Sequence, residues 1–279
     1  MKRWLLILIT TLLVHLIAHV EVWSGEVAFI PHLVPLLRTN EPVFSSRELA
    51  TPGRSKGESG KGEPTSTQPI ISLHSVPRGQ AAKALLSEAN RELKLVKTSR
   101  YSHKTQVDEA IGQFNYDCSG FLKYALARSA PEALRSLQEA TVRRPLAKHF
   151  VGFIASLPPR KVVGGWRQVE RATDLAPGDI VAWLKPPTVV SKNTGHVMIV
   201  RDTIYPHLKR SNEIIIPIID SSASRHGASD SRHKGEKTGL GTGSIILVVD
   251  DNGKPIGYRW SRSKNSRKHM TKVALARLE

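Results

Sequence analysis

Cysteine is almost absent from this sequence: 279 residues contain one, Cys118. That excludes an internal disulfide, and Cys118 lies too far from the N-terminus to be a lipid-attachment site. A lone thiol is either a small buried core residue or a reactive group, and composition alone does not decide between them. Acidic residues are also scarce, with 24 Asp and Glu against 41 Lys and Arg, a formal charge of +17. Such an excess favours polyanionic surroundings: nucleic acid, anionic lipid or acidic wall polymers. No internal repeat is visible, and the longest apolar run is too short to span a bilayer comfortably, which takes roughly 20 residues, unless it continues through Val20 to Val22. The hydrophobic content of 40% is nevertheless enough for a sizeable core and argues against global disorder.

The longest apolar run, Trp4 to Ala18, follows Lys2 and Arg3 and is interrupted by Thr10, Thr11 and His15. A basic start and a short apolar core predict an export signal over residues 1–24, cut near Ser24 or retained as a membrane anchor. Export makes a nucleic-acid partner unattractive and predicts a periplasmic or extracellular protein. From Thr51 to Pro69, thirteen of nineteen residues are Gly, Pro, Ser or Thr. Such a segment buries too little surface to offset its ordering entropy, so residues 25–78 read as a flexible linker. A folded domain is expected over 79–262. The end, 263–279, reads as a basic tail that could hold anionic wall polymers or a membrane surface; from Gly253 to Glu279 eight basic side chains face one Glu.

Within the domain, Ala82, Leu85, Leu86, Ala89 and Leu93 share one face of a helix over 80–96, and Tyr101 to Gln113 is polar and loop-like. Phe121, Leu122, Ala125 and Leu126 mark a second helix from Cys118, stopped by Pro131. Residues 131–171 look mostly helical and irregular, with breaks at Pro158-Pro159 and Gly164-Gly165, and form a helical insertion. Short β-rich runs then follow: Ile180 to Leu184, His196 to Arg201, Glu213 to Asp220, Ser244 to Val249 and Ile256 to Trp260, with a turn at Asp251-Asn252-Gly253. Helices followed by a strand meander predict an α+β domain with an antiparallel sheet.

Tyr116-Asp117-Cys118-Ser119-Gly120-Phe121 puts the thiol on the first turn of the second helix, with Asp117 placed to cap it. Unsatisfied amides at a helix start favour a thiolate. A cysteine nucleophile needs a base and an orienting group. His196 begins one predicted strand and Asp220 ends the next. If those strands pair as a hairpin, both side chains share a face and can be direct cross-strand neighbours. His226 and His233, in a Gly/Ser/Arg/Lys-rich loop, read as solvated, and no metal site is expected there. Asp179 reads as part of a Pro-Gly-Asp turn, and Trp166, Trp183 and Trp260 as core, with Trp166 able to line a cleft.

Three ordered motifs, Asp117-Cys118-Ser119-Gly120-Phe121, Leu175-Ala176-Pro177-Gly178-Asp179-Ile180-Val181 and Gly195-His196-Val197-Met198-Ile199-Val200, resemble the NlpC-type family of papain-like peptidoglycan cysteine peptidases. The resemblance spans roughly Tyr101 to Asp220. It implies a papain-like fold, in which a helix bearing the cysteine packs on an antiparallel sheet bearing the histidine. It also implies hydrolysis of amide bonds in wall peptides without a cofactor, with Cys118 as nucleophile and His196 as general base. The family's third catalytic residue is a polar side chain, often another His, lying closer after the base; here Asp220 is assigned, with Ser222 and Asn212 as alternatives. Tyr101 matches the family's tyrosine before the cysteine, although its Gly-Gly pair is missing, and is expected with Ser119 at the oxyanion or substrate site. Two other functions fit the same fold: a non-catalytic wall-binding module and, less well, an acyltransferase.

Overall fold

The computed structural model describes residues 74–234 and 238–279. The export segment and nearly all of the expected linker lie outside the described residues. Among the described residues no helix is long and apolar enough to cross a membrane.

Helix α1 (Gln80–Leu95) buries Ala82, Leu85, Ala89 and Glu92, spaced three or four apart so that one stripe faces the core. Two short strands form an antiparallel ribbon, β1 (Gln106–Asp108) inside the segment expected to be loop and β2 (Gln113–Asn115) at its end. Helix α2 (Cys118–Ser129) starts at the Asp117 cap and ends at Ala130, where Pro131 opens α3 (Pro131–Ala140). Proline at a first helical position loses no hydrogen bond, because that amide has no partner in any case. Helix α4 (Ala147–Ser156) completes the helical layer.

The strands are β3 (Val162–Val163), β4 (Trp166–Val169), β5 (Ile180–Leu184), β6 (Gly195–Val200), β7 (Tyr205–Pro206), β8 (Glu213–Ser222), β9 (Gly239–Val249), β10 (Pro255–Arg259), β11 (Lys268–Met270) and β12 (Val273–Leu278). They form one antiparallel sheet in the order β11-β10-β9-β8-β6-β5-β12-β4-β3, with β7 attached to β8. The class is α+β, as expected.

Two expectations are corrected. The insertion is helical only as far as Ser156; its end folds into the β3–β4 hairpin and joins the sheet. The basic tail is largely not a tail. Strand β12 lies between β5 and β4, and Ala274, Leu275, Ala276, Arg277 and Leu278 are buried. Charge counting missed this because the apolar residues Val273, Ala274, Leu275, Ala276 and Leu278 outweigh the one charge among them, and that charge is neutralised inside. The Arg277 guanidinium donates to both oxygens of Asp179, at 2.7 and 2.5 Å, while Asp179 also accepts the Ala176 amide at 2.8 Å. Asp179 is therefore a structural anchor between the start of β5 and the C-terminal strand. Removing one member of a buried, hydrogen-bonded pair typically costs about 3–5 kcal/mol.

Alternation along the strands divides the core in two. Ile180, Ala182, Val197, Ile199, Ile219, Ala274 and Ala276 face the helices, whereas Val181, Trp183, Met198, Val200, Ile216, Ile218 and Leu275 face the other way. On that second face the sheet coils on itself: β10 approaches β12, and Tyr258 of β10 stacks on Trp183 of β5 at 4.0 Å. Trp166 packs against Phe150 and Phe153 and donates its indole N–H to the Ala133 carbonyl, so it belongs to the core rather than to a cleft.

Glu92 of α1 is fully buried; Oε2 accepts the Tyr116 hydroxyl at 2.6 Å, and Oε1 has no hydrogen-bond partner. Burial pushes its carboxyl up to about 8, against the pull of the Tyr116 hydrogen bond. The folded protein thus retains a proton that the unfolded chain releases near 4.5, and stability falls as pH rises between those values. Glu92→Gln removes this ionisation. Thermal denaturation should find the variant close to wild type at about pH 4 and more stable at about pH 8, by at most a few kcal/mol. A difference independent of pH would contradict the assignment.

Candidate active site

Asp117 builds the start of α2. Its Oδ1 accepts the Gly120 amide at 2.7 Å and the Ser119 hydroxyl at 2.9 Å, while its carbonyl takes the Phe121 amide. The other oxygen, Oδ2, faces His103 Nδ1 at 3.0 Å. Gly120 is required by close approach, since a Cβ there would sit 2.8 Å from Thr105 Oγ1. Cys118 follows at the first helical position, 4% exposed, beside the amides that a helix start leaves unpaired. The segment leading to it is pinned to the sheet: the Ser221 hydroxyl of β8 donates to the Tyr116 carbonyl at 2.6 Å.

His196 is the second residue of β6. Gly195 before it has φ 152°, and a Cβ there would lie 1.9 Å from the Trp183 carbonyl, so no side chain fits. Strands β6 and β8 pair antiparallel with Ile199 opposite Ile219 and Val200 opposite Ile218. Continuing that register sets Ser222, not Asp220, across from His196. Asp220 is the diagonal neighbour on the same face, still within reach of a ring. His196 Nε2 donates to Asp220 Oδ2 at 2.6 Å. The ring also hydrogen-bonds Cys118, and with Nε2 engaged that bond falls to Nδ1. Both side chains point to the face away from the helices, so the thiol meets the ring at the end of the sheet.

Burial would lower the ionisation of His196, but the negative charge of Cys118 and the hydrogen bonds to Asp220 and Cys118 outweigh it and push His196 up to about 10. Burial likewise disfavours the Asp220 carboxylate. The charges of His226 and Arg232 and the hydrogen bonds from both histidines overcome that and hold it well below the usual carboxylate range. The arrangement favours the protonated form of the His196 ring.

Sequence reading missed the residues behind Asp220. His226, expected in a solvated loop, is 2% exposed. Its Nε2 lies 2.9 Å from Asp220 Oδ2 and its Nδ1 2.9 Å from the Trp260 carbonyl. Arg232 donates to Asp220 Oδ1 at 2.9 Å and to Asp230, whose Oδ2 accepts the His226 amide at 2.7 Å. Small and polar composition suggested solvent, yet the loop folds back over β9. A Cβ at Gly241 would lie 2.8 Å from the Arg232 side chain, and one at Gly243 would lie 2.8 Å from His226 Cβ. The legible signal was an Asp, a His, a second Asp and an Arg within thirteen residues of a strand end, from Asp220 to Arg232.

Of the remaining candidates, Tyr101 is at the site. Its hydroxyl hydrogen-bonds Cys118, and burial followed by the charge of Cys118 raises its ionisation. Ser119 lines the same cleft, but its hydroxyl is committed to Asp117. The Ser222 hydroxyl donates to the Ser224 carbonyl, and Asn212 lies before the opposite end of β8, where its carbonyl accepts the Val249 amide. The thiol opens on a cleft of about 430 Å³ lined by His103, Arg144, Lys192 and Asn193; a second of about 290 Å³, walled by Trp183, Tyr258 and Trp260, adjoins His196.

His196, Asp220 and His226 also form the group of described residues whose potential ligand atoms converge, within 4.8 Å of one another. The guanidinium of Arg232 on the same carboxylate opposes a cation there.

Since Cys118 contributes to the raised ionisation of His196, Cys118→Ala should move it from about 10 toward the ordinary value of 6.5. An NMR titration of the His196 ring measures this, and an unmoved midpoint would rule out the coupling.

No family model and no solved structure match the chain. The uncharacterized protein R653 of Acanthamoeba polyphaga mimivirus is 32% identical over 168 residues, covering 54% of this chain and 70% of the viral protein. The chain belongs to the same family as that protein.

Proposed function

We propose that the protein is a cysteine hydrolase of papain-like architecture that cleaves amide bonds in peptidoglycan peptides. One observation carries the reading: a thiol at a helix start, an imidazole and a buried carboxylate are joined by hydrogen bonds at the floor of an open cleft. The motif resemblance supplies the substrate class. The basic cleft wall of Arg144 and Lys192 suits the free carboxylates of such peptides.

In this mechanism the Cys118 thiolate attacks the amide carbon while His196 holds the proton. The oxyanion of the tetrahedral intermediate accepts from the Cys118 amide and the Tyr101 hydroxyl. His196 passes its proton to the leaving amine, the C–N bond breaks and a thioester remains. Water, deprotonated by His196, then attacks the thioester; the acid leaves and the thiolate–imidazolium pair is restored. Asp220 fixes the ring so that Nδ1 faces the thiol.

Cleavage of purified peptidoglycan, followed by mass spectrometry of the muropeptides, tests the assignment. Cys118→Ala should reduce product formation by at least about 10³-fold, and undiminished cleavage would refute it. The pH profile supplies a second check. His196 must be protonated to expel the amine, so kcat/KM should fall as pH rises through about 10. Rapid alkylation of Cys118 by iodoacetamide at low pH separates a hydrolase from a binding module, whose thiol would react slowly.

A further inference from the structure

We infer that His226 is a positioning residue that carries a proton on both ring nitrogens and, as a cation, holds Asp220 in the one orientation that serves His196. The inference rests on the hydrolase reading for its role, but its physical content stands on hydrogen-bond accounting.

Nδ1 of His226 lies 2.9 Å from the Trp260 carbonyl oxygen. A carbonyl only accepts, so Nδ1 must bear hydrogen. Nε2 lies 2.9 Å from Asp220 Oδ2, and the same oxygen takes the proton of His196 Nε2 at 2.6 Å. An ionised carboxylate also only accepts, so His226 Nε2 must bear hydrogen as well. Moving that proton onto Asp220 would set the permanently charged guanidinium of Arg232, 2.9 Å from Oδ1, against a neutral acid where water does not reach. The ionised arrangement leaves no lone pair facing another. Asp220 then accepts from two imidazolium rings and one guanidinium, and Asp230 offsets part of that positive charge through Arg232.

The seat of the ring is built rather than incidental. The Trp260 ring covers it at 4.1 Å between centroids, where an aromatic face favours a cation. Gly243 removes the Cβ that would collide with it, and the Asp230 carboxylate fixes its backbone amide. His226 touches neither Cys118 nor the cleft; it acts through Asp220. Two consequences follow. Held by three donors, Asp220 cannot swing away from Nε2, so the His196 ring keeps Nδ1 toward the thiol. And a second cation whose ring lies 6.2 Å from that of His196 tempers how strongly His196 retains its own proton.

The test begins with the wild-type protein and needs no substrate. Nitrogen-15 NMR of the histidine rings at neutral pH should show both nitrogens of His226 protonated. A bare Nε2 would overturn the inference, as would one equivalent of zinc retained by the protein after dialysis against zinc alone, since a metal would then replace the proton. The second arm follows iodoacetamide alkylation of Cys118 against pH in His226→Gln and His226→Leu. Glutamine restores one donor to Asp220 and should keep most of the wild-type rate; leucine restores none and should lose at least about tenfold. Both remove the charge, so the upper inflection, where His196 loses its proton, should rise by about one pH unit. A merely structural histidine would leave that inflection unmoved, and such a result would refute the inference. If His226 proves doubly protonated while peptidoglycan stays uncut, the hydrolase reading fails and this one stands; cleavage with a neutral His226 means the reverse.

Discussion

A carboxylate sealed from solvent, that of Asp220, organises the candidate site of this molecule. An isolated buried carboxylate is prohibitively unfavourable, so the chain must bring donors to it. It brings three side chains: His196 from β6, and His226 and Arg232 from the connection between β8 and β9. The path of that connection follows from the need. A run of Ser, Gly and Arg that would otherwise extend into water folds down over β9 because Asp220 and Asp230 require Arg232, and Arg232 requires them.

The sheet supplies what the carboxylate cannot, namely a fixed distance between thiol and imidazole. Strands β5 and β6 lie in its middle, buried on both faces, and neither can shift register without moving a complete apolar row into the wrong layer. The C-terminal strand β12 lies inside the sheet between β5 and β4, tied there by Arg277 and Asp179. On the helical side the Asp117 cap sets the first turn of α2, and the Ser221–Tyr116 hydrogen bond fixes that turn relative to β8. Thiol, ring and carboxylate are therefore held by elements that also form the core. Rigid scaffolding of this kind suits the roles of nucleophile and base that we propose for the thiol and the ring.

Much of this was legible in the sequence where periodicity was strong. Ile180 to Leu184 is strand β5 to the residue, and Cys118 to Ser129 is helix α2, because apolar spacing and a capping Asp are local signals. The pairing of His196 with Asp220 was anticipated from parity, which survives any even shift; the actual register makes them diagonal rather than direct neighbours. The C-terminal strand was misjudged because net charge describes a segment's average, whereas burial depends on which side chains alternate inward. His226 was misjudged for a related reason: composition describes a loop's affinity for water and is blind to a buried anion elsewhere.

Sequence by itself determined the class of the fold, the helix that presents Cys118 and the strands that carry His196 and Asp220, since capping, turn chemistry and side-chain periodicity act over a few residues. Only the tertiary structure decided which groups satisfy Asp220, that the last residues form an inner strand of the sheet, and that Ser119 serves the cap rather than the cleft. Those outcomes depend on desolvation. A polar group acquires an obligatory partner only once distant segments have excluded water from around it, and no local pattern encodes which segments those will be.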